Sequence, residues 1–168
     1  MGIYYVDTSV LLDRDGMHRV CYGDGNTYVI AGPVLGELFS QILRCLRSSS
    51  DLFNIYSSVN VKLRDDCRFD GISHIRDVID CIISNPSVKL RLEFDRAFVS
   101  EYLNHLRNIL DHDSRIEVSD AMILSMALAD ASADGFITAE RKIVNSEGIR
   151  QYLDELRRYG RKFRIESV

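Results

Sequence analysis

Short apolar segments alternate with longer segments of helical spacing along this chain. Residues 2–7 (GIYYVD) and 27–32 (TYVIAG) are rich in β-branched and aromatic residues, which predicts two buried strands. Residues 15–26, between them, are dense in Gly, Asp and Asn, which predicts a loop. Pro33 predicts the start of a helix, because proline is tolerated in a first turn, where its missing N–H has no partner.

The remainder of the chain repeats this alternation. Apolar residues at helical spacing predict helices over 72–82 and 94–113, and residues 88–93 alternate like a half-buried strand. Ser119 is predicted to cap a helix that carries Asp120 in its first turn and an apolar stripe behind it. Three further elements complete the prediction, namely a turn and short strand within 133–140 that end in Glu140, a helix at roughly 142–158 and a strand at 162–166.

This order of elements favours the α/β class. Strands that alternate with helices predict a three-layer sandwich, in which helices flank a mostly parallel central sheet. A length of 168 residues suits one domain, so we expect a single domain over 1–168. Residues 48–71 show no helical period, although 60–64 fit a short strand. We therefore treat the region of about 48–115 as an unassigned or inserted part of that domain.

Composition excludes several classes of protein. With 46% hydrophobic and 27% charged residues, the chain is neither disordered nor collagen-like. No stretch approaches the roughly 18 uncharged apolar residues that span a bilayer, so we expect no membrane contact and a cytoplasmic location. The cysteines form no CxxC or CxxH pair, which argues against a zinc framework and predicts reduced thiols. They are Cys21, Cys45, Cys67 and Cys81.

Charge is unevenly distributed along the chain. Residues 1–140 hold 13 Lys and Arg against 21 Asp and Glu, a net charge of −8, whereas residues 141–168 hold 8 against 4, a net charge of +4. An acidic site beside a basic segment suits a metal-dependent enzyme that acts on phosphates. A solvated basic helix at the end of the chain explains the same pattern.

Four carboxylates occupy positions that burial alone does not explain. Asp7 ends an apolar strand and Glu140 follows another, whereas Glu37 and Asp120 lie in early turns of apolar helices. In a parallel sheet the strand ends and the starts of the following helices share one edge, so we expect the four side chains to converge. An all-oxygen cluster of this kind favours Mg²⁺ or Mn²⁺. Each acid taken singly also fits a cap, a surface position or an ion pair.

Three segments carry a resemblance to the PIN-domain nucleases, the family of VapC-like ribonucleases. They are YYVDTSVLL, PVLGEL and SDAMILSMALADASADGFITAERKI, which fall within about 1–47 and 116–168. Residues 48–115 show no distinctive match. The resemblance implies a PIN-like fold and a metal-dependent endoribonuclease that hydrolyses RNA phosphodiester bonds.

The resemblance also implies roles for individual residues. Asp7 and Asp120 would be the principal metal ligands, Glu37 would bind directly or through water, and Glu140 would complete a catalytic set of four. The commoner family pattern has Asp at the place of Glu140, which leaves the number of ions open. Neighbouring hydroxyls would orient these carboxylates or contact phosphate, and simple turn hydrogen bonds fit them equally well; they are Thr8, Ser9 and Thr138.

The implied partners are RNA, an antitoxin protein and a second copy of the chain, and the sequence does not choose between a toxin and an RNA-processing nuclease. Asp134 begins a strand, so we interpret it as structural, and His112 is the histidine nearest in sequence to Asp120. A non-catalytic RNA-binding or assembly module of the same fold is the alternative. Candidate contacts to nucleic acid are Arg141, Lys142, Arg157, Arg158, Arg161, Lys162 and Arg164.

Overall fold

The computed structural model describes residues 1–46 and 69–168, and of residues 69 and 70 only the backbone. The described strands form one five-stranded parallel sheet of order β3-β2-β1-β4-β5, which helices flank. The strands are β1 (Ile3–Val6), β2 (Thr27–Ala31), β3 (Val88–Arg91), β4 (Gly135–Thr138) and β5 (Arg164–Ser167). The described helices are α1 (Thr8–Leu12), α2 (Arg14–Tyr22), α3 (Gly32–Cys45), α4 (Phe69–Ser84), α5 (Arg96–His112), α6 (Val118–Ala129), α7 (Arg141–Val144) and α8 (Glu147–Arg158).

The central strand β1 lies in the middle of the core. Tyr4 pairs with Tyr28 of β2 on one side and with Gly135 of β4 on the other, and Gly135 in turn pairs with Arg164 of β5. Because helices flank the sheet, its inner strands read as continuous apolar runs rather than alternating ones. All strands run the same way, so they end at one edge, here named the carboxyl edge, and begin at the opposite one, the amino edge.

Most of the Gly-rich segment between the first two strands is a helix, so the loop predicted over 15–26 is wrong for residues 15–22 and right for residues 23–26. The carboxylate of Asp13 caps α2 by accepting from the backbone N–H of Gly16 at 2.9 Å, and Val20 is fully buried. A Cβ at position 16 would lie 2.3 Å from the carbonyl oxygen of Val10. Gly16 therefore allows α2 to pack closely against α1, and does not mark a turn.

The expectation of reduced thiols is wrong for the three cysteines that the structure describes, Cys21, Cys45 and Cys81. Cys21 of α2 and Cys81 of α4 form a disulfide, with their Cα atoms 5.7 Å apart. No cysteine in the described part of the chain is free, and Cys67 lies outside it. The two partners are 60 residues apart in the sequence, so spacing carries no sign that packing of α2 against α4 brings them together.

Two helix boundaries also differ from the predicted ones. The helix that carries Asp120 begins at Val118, and Ser119 lies within it rather than at its cap. The helix predicted over 142–158 is divided into α7 and α8, because Ser146 caps α8 by accepting from the N–H of Ile149 at 3.1 Å.

The region of 48–115 contributes α4, β3 and α5, and β3 pairs with β2 in the same sheet. The short strand considered at 60–64 lies outside the described residues. None of the described helices is both long and apolar enough to cross a membrane.

Candidate active site

Asp7 directly follows β1 and is only 2% exposed. Its Oδ1 accepts from the backbone N–H of Thr8 at 2.8 Å, and its Oδ2 accepts from the hydroxyls of Ser9 at 2.5 Å and Thr138 at 2.8 Å. One bond comes from the backbone of α1 and another from the buried end of β4. These three donors hold the carboxylate in one orientation at the carboxyl edge.

The same two hydroxyls connect Asp7 to the segment that carries Glu140. Ser9 Oγ accepts from the N–H of Ala139 at 3.1 Å, and Thr138 Oγ1 accepts from the N–H of Glu140 at 3.0 Å. Each hydroxyl therefore donates to the carboxylate and accepts from the backbone that follows β4. The arrangement fixes the backbone of Glu140 relative to Asp7.

Glu37 reaches the same edge from α3. Its Oε2 accepts from the hydroxyl of Thr8, so the first residue of α1 joins the neighbourhoods of Asp7 and Glu37. The side chain of Glu37 is half-buried, as are Asp120 and Glu140.

Asp120 lies in the first turn of α6, where its surroundings change its acidity. Burial, and after it the negative charges of Asp7, Glu117, Glu140 and Glu37, together raise the pKa of Asp120 to about 7 from its usual 3.8. Coulomb effects weaken with distance, so these influences mean that the acids share one region of the carboxyl edge. The charges of the other three predicted carboxylates, Asp7, Glu37 and Glu140, thus all act on Asp120.

The charge and the donor atoms at this edge fit a hard divalent cation. In the described part of the chain, no Lys or Arg forms an ion pair with any of the four predicted acids. Oxygen ligands are those that Mg²⁺ and Mn²⁺ prefer. As the side chains stand, however, no three His, Cys, Asp or Glu residues of the described ranges form a group that could hold an ion. The acids would have to turn toward an ion as it binds.

The predicted nucleic-acid contacts are divided between the two edges. Arg141 and Lys142 follow Glu140 directly and are exposed at the carboxyl edge. The others lie near the turn from the end of α8 to the start of β5, at the amino edge; they are Arg157, Arg158, Arg161, Lys162 and Arg164. The acids and this larger basic group therefore lie at opposite edges of the sheet.

Sequence reasoning missed Glu117. Its carboxylate lies 3.1 Å from the ammonium of Lys142, and its charge contributes to the raised pKa of Asp120. The signal in the sequence is its position three residues before Asp120, since residues three apart at the start of a helix share a face.

Two other residues considered from the sequence lie away from the acids. His112 has its Nδ1 2.7 Å from the carbonyl oxygen of Asn108, and its ring packs against Tyr152 of α8. Asp134 accepts from the N–H of Ile3 at 2.8 Å, at the amino edge.

Comparison with known proteins bears on the fold. Neither a family model nor a curated protein matches the chain. A structure of VapBC2 from Rickettsia felis, bound to a DNA fragment from its promoter, is similar with a TM-score of 0.51 and 15% identity, over 98% of each chain. A structure of VapBC-5 from Mycobacterium tuberculosis, a member of the VapBC family of toxin-antitoxin systems, is similar with a TM-score of 0.57 and 15% identity, over 100% of each chain.

At this level of identity the likeness shows the fold. The chain has the fold of these VapBC structures, and the predicted α/β, PIN-like architecture is confirmed.

Proposed function

We propose that this protein is a PIN-domain-type endoribonuclease, which hydrolyses RNA phosphodiester bonds at the carboxyl edge with Mg²⁺ or Mn²⁺. The observation that carries the proposal is the buried carboxylate of Asp7, which three donors orient toward a region of further acids without a cationic partner. Burying negative charge in this way is costly unless a cation compensates it. The VapBC-like fold supports the same class of activity.

Each side chain has a role in this proposal. Asp7 and Asp120 are the principal ligands of the ion, and Glu37 and Glu140 bind it directly or through water. When bound, a divalent ion supplies a water of lowered pKa and an electrophile for the phosphate oxygens. The hydroxyls of Ser9 and Thr138 orient Asp7, and that of Thr8 orients Glu37.

Two exposed cations beside the acids complete the proposed site. Arg141 carries no ion pair within the described residues, so its guanidinium is available to a backbone phosphate. Lys142 already pairs with Glu117 at 3.1 Å and is 61% exposed, so a phosphate can replace that weak surface pair.

Cleavage of a labelled single-stranded RNA in Mg²⁺ or Mn²⁺ tests the proposal. Asp7→Asn and Asp120→Asn should each lower the cleavage rate by roughly 100-fold or more. Asp111→Asn makes the same chemical change at an exposed position of α5 and should leave the rate unchanged. Mn²⁺ should also raise the melting temperature of the wild type but not of Asp7→Asn, because only a protein that binds the ion gains stability from it. Full cleavage by both site variants would reject the assignment.

A non-catalytic RNA-binding or assembly module is the second candidate. Glu140, which stands where the commoner family pattern has Asp, favours it, as does the open arrangement of the acids. This candidate predicts that the wild type binds RNA in Mn²⁺ without cleaving it. The nuclease proposal predicts that cleavage accompanies binding.

An antitoxin protein is the proposed partner, on the basis of the fold shared with two VapBC structures. A toxin should arrest growth when it is expressed in a bacterial host, and Asp7→Asn should not. An RNA-processing nuclease should be tolerated by the host in both forms.

A second copy of the chain is a further proposed partner. An apolar hollow of about 190 Å³ lies between α5 and α6, and Leu103 and Val118 of these helices are more than half exposed. Sedimentation of the wild type and of Leu103→Glu should therefore show a dimer and a monomer, respectively.

A further inference from the structure

The amino edge holds an open cavity of about 460 Å³, here named the basic cavity. Its walls come from residues that precede or begin β1, β2, β4 and β5 and from the last turn of α8, so it lies at the opposite edge of the sheet from the acids. The polar residues that line it are Asn26, Asp134, Arg157, Lys162 and Arg164.

Positive charge at this cavity is only partly compensated. The exposed ammonium of Lys162 has no carboxylate partner among the residues that the structure describes. Arg157 pairs with Asp154 at 2.6 Å, but both side chains are more than half exposed, so a phosphate can replace this ion pair. Asp134 is the acid among the described residues of the wall, and its carboxylate accepts from the N–H of Ile3.

The cavity also offers further donors. Arg164 donates to the hydroxyl of Tyr4 and pairs with Glu166 at 2.8 Å, with its side chain 63% exposed. Asn26 accepts from the N–H of Gly2 through its carbonyl oxygen at 2.8 Å, and its side chain also hydrogen-bonds to Asp24. The guanidinium of Arg164 beside the ammonium of Lys162 supplies donors suited to phosphate oxygens.

The turn that carries Lys162 is held in place. Gly160 adopts a φ of +86° after the end of α8, a conformation that favours glycine and stops the helix. Arg161 then donates to the carbonyl oxygens of Ala131 and Asp130, and Phe163 is 3% exposed. Lys162 thus lies between two anchored residues, and it is not part of a loose basic tail.

We infer that the basic cavity binds a backbone phosphate of a nucleic-acid strand, at a distance from the site of cleavage. Residues 1–140 carry a net charge of −8 and repel a polyanion, so a strand needs an attachment on the basic segment of 141–168. The volume lies within the range of ligand pockets. Gly2 and Asp7 bracket β1 and are about 16 Å apart at a rise of roughly 3.3 Å per residue.

One phosphate therefore cannot reach both edges. The basic cavity binds a different part of the strand from the part that is cleaved at the carboxyl edge. The inference rests on the proposed function only for the identity of that strand as RNA.

Binding without divalent ions tests the inference separately from cleavage. We would measure the anisotropy of a labelled single-stranded RNA of about 12 nucleotides in EDTA. Lys162→Glu should weaken binding by roughly fivefold and reduce the slope of log K against log salt by about 0.7. Lys89→Glu makes the same charge change on exposed residue 89 of β3 and should stay close to the wild type. Equal affinities and slopes for the two variants would overturn the inference.

The outcomes separate this inference from the proposed nuclease. If the protein cleaves no RNA while Lys162→Glu weakens binding, the nuclease proposal fails and the basic cavity stands. If the protein cleaves RNA while Lys162→Glu and Lys89→Glu bind alike, the cavity alone is refuted. A 5′-mononucleotide that displaces the RNA at equal phosphate concentration would assign the cavity to free nucleotides, which also overturns binding of a strand.

Discussion

The two edges of the sheet differ in how their charges are held. At the carboxyl edge, Asp7 is buried, Asp120 is half-buried, and neither forms an ion pair with a Lys or Arg of the described residues. At the amino edge, Lys162 and Arg164 are exposed to solvent. Buried like charges oppose one another and destabilise the fold, whereas exposed charges are screened and cost little. The acids of the carboxyl edge thus lower the stability of the fold, whereas the exposed cations of the amino edge attract anions at little cost in stability.

The largest expected effect comes from opening the disulfide between α2 and α4, which stabilises the fold as a whole. Cys21→Ser opens a disulfide between residues 60 apart, and the entropy of closing such a loop predicts a loss of about 4 kcal/mol in the free energy of unfolding. Because neither cysteine touches the acids or the basic cavity, RNA cleavage and RNA binding per folded molecule should be unchanged. Chemical denaturation measures the stability. Cys81→Ser should give the same loss, and a double variant no greater one.

A smaller effect is expected from the hydroxyl that orients Asp7. Thr138→Val removes the donor to Asp7 and leaves the half-buried N–H of Glu140 without its acceptor, which should cost about 2 kcal/mol. Cleavage should fall as well, because the carboxylate loses its fixed orientation. Thr138→Ser keeps the hydroxyl and should retain cleavage. If the valine and serine variants cleave RNA equally, the hydroxyl does not position Asp7.

The contrast between the edges could be predicted only in part from the sequence. Apolar runs that end in Asp7 and Glu140 place these acids at one edge, because a parallel sheet allows no other arrangement. The position of Lys162 could not be derived in this way, since it depends on where α8 stops. The helix α2 was missed because Gly16, which packing against Val10 requires, resembles a turn residue in the sequence. The disulfide was missed because its cysteines are 60 residues apart in the sequence.

The cost of the acidic edge should appear in the pH dependence of stability. The pKa of Asp120 is about 7 in the folded protein, against the usual 3.8 that applies to the unfolded chain. Between these two pH values the folded state therefore holds a proton that the unfolded state has lost. Stability therefore falls as pH rises from about 4 to 7. Asp120→Asn removes this loss, and the gain should be about 1 to 2 kcal/mol above pH 7, reduced because the side chain is half exposed, and absent below pH 4.

Thermal melts in EDTA at pH 4 and pH 8 measure this gain. Asp111→Asn, at an exposed position, serves as the matched control and should show none. A gain for Asp120→Asn that is equal at the two pH values would show that ionisation of Asp120 does not oppose folding.

The smallest expected effect concerns Glu117, whose charge helps to raise the pKa of Asp120. Glu117→Gln should lower that pKa by a small amount, because Glu117 is 65% exposed and already paired with Lys142. Lys142→Gln should raise the pKa instead, since it leaves the negative charge of Glu117 without its partner. Titration of the Asp120 carboxyl carbon by NMR measures both changes, and high salt should diminish them. Shifts in the same direction would mean that Lys142 acts on Asp120 by a route other than its pairing with Glu117.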